Sequence, residues 1–117
     1  MSSDITINVL GRQYQAKKST LLNFSYFRNI LERGNTGIDL ALDGSYSIDA
    51  DPAVFEHLLC YMRRPSNFSL LWTKEKGFDY VLYNKLEAEA DFFLLHDLQD
   101  WIRQERYKDA FTTIVEI

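Results

Sequence analysis

Cysteine is nearly missing from this sequence: Cys60 stands alone among 117 residues, so no intrachain disulfide can form. A secreted, disulfide-stapled fold is therefore excluded as the source of stability. Glycine occurs five times and proline twice. Gly11 and Gly34 are isolated, with no Walker-type lysine following, which excludes a phosphate-cradling loop and leaves no expected cofactor. Apolar runs are short, and none approaches the ~18 uninterrupted residues that a membrane helix needs. Residues 1–4 (MSSD) carry no basic segment leading into an apolar one, so no secretory leader is expected. These absences predict a cytoplasmic and/or nuclear protein without membrane insertion. Positive charge is also scarce, with 13 Lys and Arg against 17 Asp and Glu, for a net charge of −4. The longest basic clusters are two pairs, Lys17-Lys18 and Arg63-Arg64, too little to neutralise a run of phosphates, so nucleic acid is not an expected partner.

What the chain has in quantity is apolar and aromatic surface. Hydrophobic residues make up 46% and aromatics 15%, enough for one dense core with aromatic surface left for a partner. Charged residues at 26% give an ordinary solvated face and argue against disorder. The length suits a single domain over 1–117, with a core of about 5–108.

Period-two alternation over residues 5–9 (ITINV) and 12–17 (RQYQAK), joined through Gly11, predicts a β-hairpin. Ser19 or Thr20 can cap a following helix of about four turns, with Leu21, Phe24, Phe27, Ile30 and Leu31 inward and Gly34 as its stop. Residues 35–43 are expected to form a loop, and 44–49 a short strand with Tyr46 and Ile48 on one face. Asp51-Pro52 is a strong helix start, cap followed by a first-turn proline. Val54, Phe55, Leu58, Leu59 and Met62 form its apolar stripe, and Pro65 ends it. Residues 68–72 (FSLLW) are either a brief strand or a loop anchored by its aromatics. Two more helices are predicted near 79–91, with Leu82, Leu86 and Ala90 inward, and near 97–108, with Leu98, Trp101 and Ile102 inward. The β-branched tail, within 109–117, could add an edge strand.

Three stretches in this order resemble the BTB/POZ fold, in its potassium-channel-tetramerisation (KCTD-like) branch. They are 5–11 (ITINVLG) with Tyr14 and the 19–22 helix start; 44–49 (GSYSID) running into Asp51-Pro52, Phe55, Leu58-Leu59 and 61–63; and 86–93 (LEAEADFF) with Leu98. Together they cover roughly residues 5–103. Residues 63–72 and 77–80 are similar to fungal members of the group. Two departures stand out: Leu10-Gly11 replaces the family's Gly-Gly, which predicts a differently shaped first turn, and Ala50 replaces a basic residue between Asp49 and Asp51. The resemblance implies an α/β (α+β) domain, a short three-stranded sheet capping four to five helices. It further implies a non-enzymatic module for protein–protein interaction and homo-oligomerisation, as a tetramer or pentamer, and an adaptor for a cullin-3-type ubiquitin ligase. A scaffold recruiting a signalling enzyme without cullin, and a monomeric Skp1- or elongin-C-like adaptor, are the alternatives. Strand one begins at Ile5, leaving no counterpart to the exchanged N-terminal helix of zinc-finger- and Kelch-type members, which favours a ring over a swapped dimer. Subunit contacts are expected at the first helix and at Asp49, Asp51 and Arg63. Phe68, Leu70, Leu71, Trp72, Phe78 and Tyr80 are expected to dock a partner, or else to plug the space beneath a loop.

Candidate chemistry in the side chains is thin. His57 and Cys60, three apart on one helix, could suggest zinc, but structural zinc needs four N or S ligands and the chain offers one Cys and two His. The pair has no orienting third group or oxyanion donors for nucleophilic catalysis, and core packing is the expected role of Cys60. Glu87, Glu89 and Asp91 do not all face one another on a helix and are expected to be a solvated face. No catalytic or metal site and no small-molecule substrate are expected.

Overall fold

The computed structural model describes residues 4–32, 44–67 and 71–109. The stop at Gly34, the loop over 35–43, Phe68, Leu70 and the tail strand within 110–117 lie outside the described residues. By its internal packing the chain forms two compact units, Met1–Pro65 and Ser66–Ile117.

In the first unit the alternating runs form β1 (Asp4–Val9) and β2 (Arg12–Lys17), antiparallel, with Ile5 opposite Ala16 and Ile7 opposite Tyr14. β3 (Tyr46–Ile48) runs parallel to β1, Ile7 beside Tyr46 and Val9 beside Ile48, giving the order β2-β1-β3. This register gathers Ile5, Ile7, Val9, Tyr14, Ala16, Tyr46 and Ile48 on one face. Thr6, Asn8, Gln13, Gln15 and Ser47 fall on the other. The one-sided sheet is what period-two alternation requires.

The β1–β2 turn places Leu10 at φ +48° and Gly11 at φ +95°. Two successive positive φ values match the right-handed strand twist of a two-residue hairpin turn. The Gly11 amide also donates to the Asn8 Oδ1 at 2.8 Å. Leu10 therefore carries the steric cost of a left-handed residue, roughly 1–2 kcal/mol. At 65% exposure, Leu10 offsets little of this by packing. Leu10→Asn is expected to raise stability by about 0.5–1 kcal/mol, because asparagine tolerates this region. Thermal denaturation checks it, and an unchanged or lower melting temperature would count against strain at this turn.

The single four-turn helix expected after β2 is broken in two, α1 (Lys18–Leu21) and α2 (Ser25–Glu32). Neither Ser19 nor Thr20 caps it; Lys17 holds the N-cap position without a side-chain bond. Between the helices, the amides of Asn23 and Phe24 donate three residues back, to Thr20 and Leu21 carbonyls, tightening the backbone out of α geometry. The Arg28 Nε donates to the Leu22 carbonyl at 2.9 Å and holds the break. Leu21 and Phe27 are still buried, so the inward periodicity survives the interruption.

α3 (Pro52–Arg63) begins as expected, with the Asp51 Oδ1 accepting the Ala53 amide at 3.0 Å. Val54, Phe55, Leu58, Leu59 and Met62 are all buried, and Tyr61 joins them. Each fully buried side chain of this kind contributes about 1.5–3 kcal/mol. Phe55 lies 5.6 Å from the Tyr14 ring and 6.5 Å from Phe27 by ring centroids. Cys60 does not pack in the core. It is exposed, because α3 turns Ala53, Glu56 and Cys60 outward together, at spacings of three and four.

The second unit opens with a small hairpin, β4 (Trp72–Thr73) and β5 (Gly77–Phe78), with Gly77 at φ +72° closing the turn. α4 (Tyr80–Phe92) follows, capped by the Asp79 Oδ1 accepting the Leu82 amide at 3.1 Å. Leu94 at φ +60° turns the chain into α5 (His96–Arg103), and α5 packs on α4. α5 stops five residues short of the expected end. Glu105 takes φ +53°, and the Arg106 amide returns to the Trp101 carbonyl at 3.0 Å, closing the helix with a left-handed residue. Leu86, Ala90, Leu98 and Ile102 are buried as expected, while Leu82 and Trp101 are only half-buried.

Candidate docking surfaces

Four arrangements bear on function: the two ends of α3, the aromatic cluster of the second unit, and the exposed apolar side chains.

At the start of α3, Asp49 and Asp51 are exposed, and the Asp51 carboxylate is engaged as the helix cap. Arg12 reaches this end, its Nη1 3.9 Å from the Glu56 carboxylate and donating to the Tyr14 hydroxyl at 3.4 Å. The contact with the Tyr14 hydroxyl is the largest influence raising the Arg12 pKa further. The Tyr14 hydroxyl in turn donates to the Pro52 carbonyl at 3.0 Å, tying β2 to the first turn of α3.

Arg63 sits at the other end of α3, roughly 18 Å from Asp51 at 1.5 Å per residue. The three residues expected at a subunit contact therefore do not converge. They occupy opposite ends of one helix. The Arg63 Nη2 donates to the Gln15 carbonyl at 2.7 Å, and the Arg64 Nη1 donates to the Arg63 carbonyl at 2.9 Å. Together with Asp4, Ala16, Lys17 and Thr20 they line an open cleft of about 370 Å³.

In the second unit, Phe78, Tyr83, Trp101 and Tyr107 form an aromatic cluster. Tyr83 and Tyr107 stack at 4.0 Å, and Phe78 meets Tyr107 edge-on at 5.0 Å. The Tyr83 hydroxyl accepts the Leu71 amide at 3.0 Å. Burial pushes the Tyr83 and Tyr107 hydroxyls above their ordinary range, and the Leu71 bond pulls Tyr83 partly back. Phe78 and Leu71 are half-buried, so this part of the expected docking segment plugs a core. Trp72 and Tyr80 face outward at 37% and 48% exposure, with the Lys108 ammonium 5.7 Å from the Tyr80 ring centroid.

Sequence reasoning passed over Val81, Phe92 and Leu94, which are exposed at 66%, 56% and 42%. Val81, Ala88 and Phe92 recur at spacings of seven and four along the outer face of α4, a signal that period analysis could have found. His57 is half-buried on α3, and among the described residues no group of three His, Cys, Asp or Glu is placed to hold a metal ion. No described buried side-chain N or O lacks a hydrogen-bond partner. Among the described residues no helix is long and apolar enough to cross a membrane.

A family model described as BTB/POZ domain matches residues 5–104. Among solved structures, the chain is similar to the BTB domain of zebrafish PATZ1, with 16% sequence identity and a TM-score of 0.65. That alignment covers 91% of this chain and 76% of the other.

Proposed function

This chain belongs to the BTB/POZ family, in its potassium-channel-tetramerisation type, and on that premise we propose that it is an adaptor for a cullin-3-type ubiquitin ligase, working as a homo-oligomer. Its general work is protein–protein contact and self-association, the business of BTB domains. The carrying observation is outward aromatic surface: Trp72 on β4 and Tyr80 at the head of α4 expose a third to a half of their area. Aromatic side chains of this kind supply large contact area at low entropic cost. Leu71 and Phe78 hold the β4–β5 hairpin beneath them.

Subunit contacts in this proposal use both ends of α3, with Asp49 and Asp51 on one side and Arg63 on the other. The two ends then belong to different contacts of a head-to-tail arrangement, in which unlike patches meet. A KCTD-like affiliation, within it a fungal one, is part of the proposal and is supported by residues 63–72 and 77–80. So is a cytoplasmic or nuclear location, since an exposed lone thiol such as Cys60 keeps best in a reducing compartment.

The double variant Trp72→Ala/Tyr80→Ala is expected to fold normally and to lose cullin-3 binding by about tenfold or more, the scale of aromatic hot spots. Pull-down and titration with purified cullin-3 read this. Full-strength binding by the variant would move the docking surface elsewhere. No binding by the wild-type chain would favour a scaffold for a signalling enzyme, and a strictly monomeric mass in light scattering would favour the Skp1- or elongin-C-like alternative.

A further inference from the structure

We propose that the cleft between β2 and the C-terminal end of α3, lined by Lys17, Thr20, Arg63 and Arg64, receives the acidic outer face of α5 from a second copy of this chain. The inference rests on the homo-oligomer reading and adds which surfaces meet and why.

Charge is segregated along the sequence. Residues 1–65 carry seven basic and seven acidic side chains; residues 66–117 carry six and ten. The whole net charge of −4 thus belongs to the second unit. In the neutral first unit, three of the seven cations line one cleft, and Lys18 adjoins it in sequence. Asp4 is the one acid among the lining residues, so the cleft carries an excess of two positive charges.

The cleft is also pre-organised. One arm of the Arg63 guanidinium is fixed on the Gln15 carbonyl at 2.7 Å, leaving its other N–H donors to meet a carboxylate at little further ordering cost. Lys17 is exposed and has no ion pair among the described residues.

The complementary surface is on α5. Asp97 and Asp100 are both exposed, three residues apart and hence on one helix face. Three other acids of the second unit are engaged. Glu87 pairs with Arg103 at 3.4 Å, Glu105 pairs with Lys108 at 3.1 Å, and Asp91 accepts from Gln99 at 3.4 Å. Asp97 and Asp100 have no such pair among the described residues. A basic cleft on one unit and unpaired acids on the other can meet between two copies, because each surface of one copy finds the opposite charge on the next.

The test is light scattering and sedimentation of the full chain in three forms: wild type, Lys17→Glu/Arg64→Glu, and Asp97→Lys/Asp100→Lys. Self-association of each variant is expected to weaken by about tenfold or more, while an equimolar mixture of the two assembles, because each reversed surface then finds an opposite charge. Wild-type association is expected to weaken as ionic strength rises from about 0.05 to about 0.5 M, where screening shortens to several ångströms. A wild-type oligomer indifferent to salt and to both reversals would overturn this contact and leave the homo-oligomer reading standing. A wild-type chain monomeric at every concentration would overturn both. If a reversal disturbs the circular dichroism spectrum, Lys17→Ala and Asp100→Ala take its place; association unchanged in both would refute the contact.

Discussion

The Phe55→Asp chain is expected to lose its folded first unit, with the helical far-ultraviolet signal falling and no cooperative melt at ambient temperature. Phe55 is 1% exposed, with Tyr14 and Phe27 against its ring. Truncating a buried phenylalanine costs about 3–5 kcal/mol through lost transfer and the cavity left behind. An aspartate there must also be desolvated without a partner or take up a proton, which adds several kcal/mol. Domains hold only about 5–15 kcal/mol in total, so the sum reaches the limit. Phe55→Leu keeps the apolar contact and is expected to fold. A native spectrum and a sharp melt for the aspartate variant would remove Phe55 from the centre of the core.

Tyr83→Ala is expected to be the most damaging single truncation in the second unit, at about 3–5 kcal/mol. Its ring is 1% exposed, stacks on Tyr107 and lies 6.2 Å from Trp101 and 6.5 Å from Phe78. Its hydroxyl is the acceptor of the Leu71 amide, so the alanine also strips the β4 approach of that bond. Tyr83→Phe separates the two contributions. It retains the stack and leaves the Leu71 amide without its acceptor, for an expected loss of about 1–3 kcal/mol. Amide exchange over residues 71–109 together with thermal melts would measure both. Equal losses in the two variants would mean that the ring contributes little, contrary to its burial.

Most of the elements were legible because they rest on local signals. The β1–β2 hairpin follows from alternation around Gly11, and α3 from the Asp51-Pro52 start and the stripe 54, 55, 58, 59, 62. α4 follows from the spacing of Leu82, Leu86 and Ala90. What escaped was set by single backbone residues or by long-range packing. The break between α1 and α2 falls within an unbroken apolar period, so the pattern gives no warning of it. The early end of α5 depends on Glu105 entering the left-handed region, which glutamate seldom does. The β4–β5 hairpin had a visible cue in Gly77, but strands of two residues carry too little periodicity to be read.

The candidate surfaces were less legible than the fold. Asp49, Asp51 and Arg63 are near in sequence, yet a straight helix carries them apart. Tyr83 and Tyr107 stack although they are 24 positions apart, and nothing in either stretch alone says so. Cys60 has an apolar character that suggests burial, but its position on α3 turns it to solvent.

The sequence by itself determined the order of the longer strands and helices, which faces are apolar, and the family, since periodicity and caps act within a few residues of where they are written. Only the tertiary structure decided which aromatics plug a core and which face outward. It also decided that Arg63 is fixed on the Gln15 carbonyl, across 48 residues of chain, beside Lys17. Those facts depend on which distant segments meet, and burial and electrostatic focus are properties of the meeting, not of either segment alone.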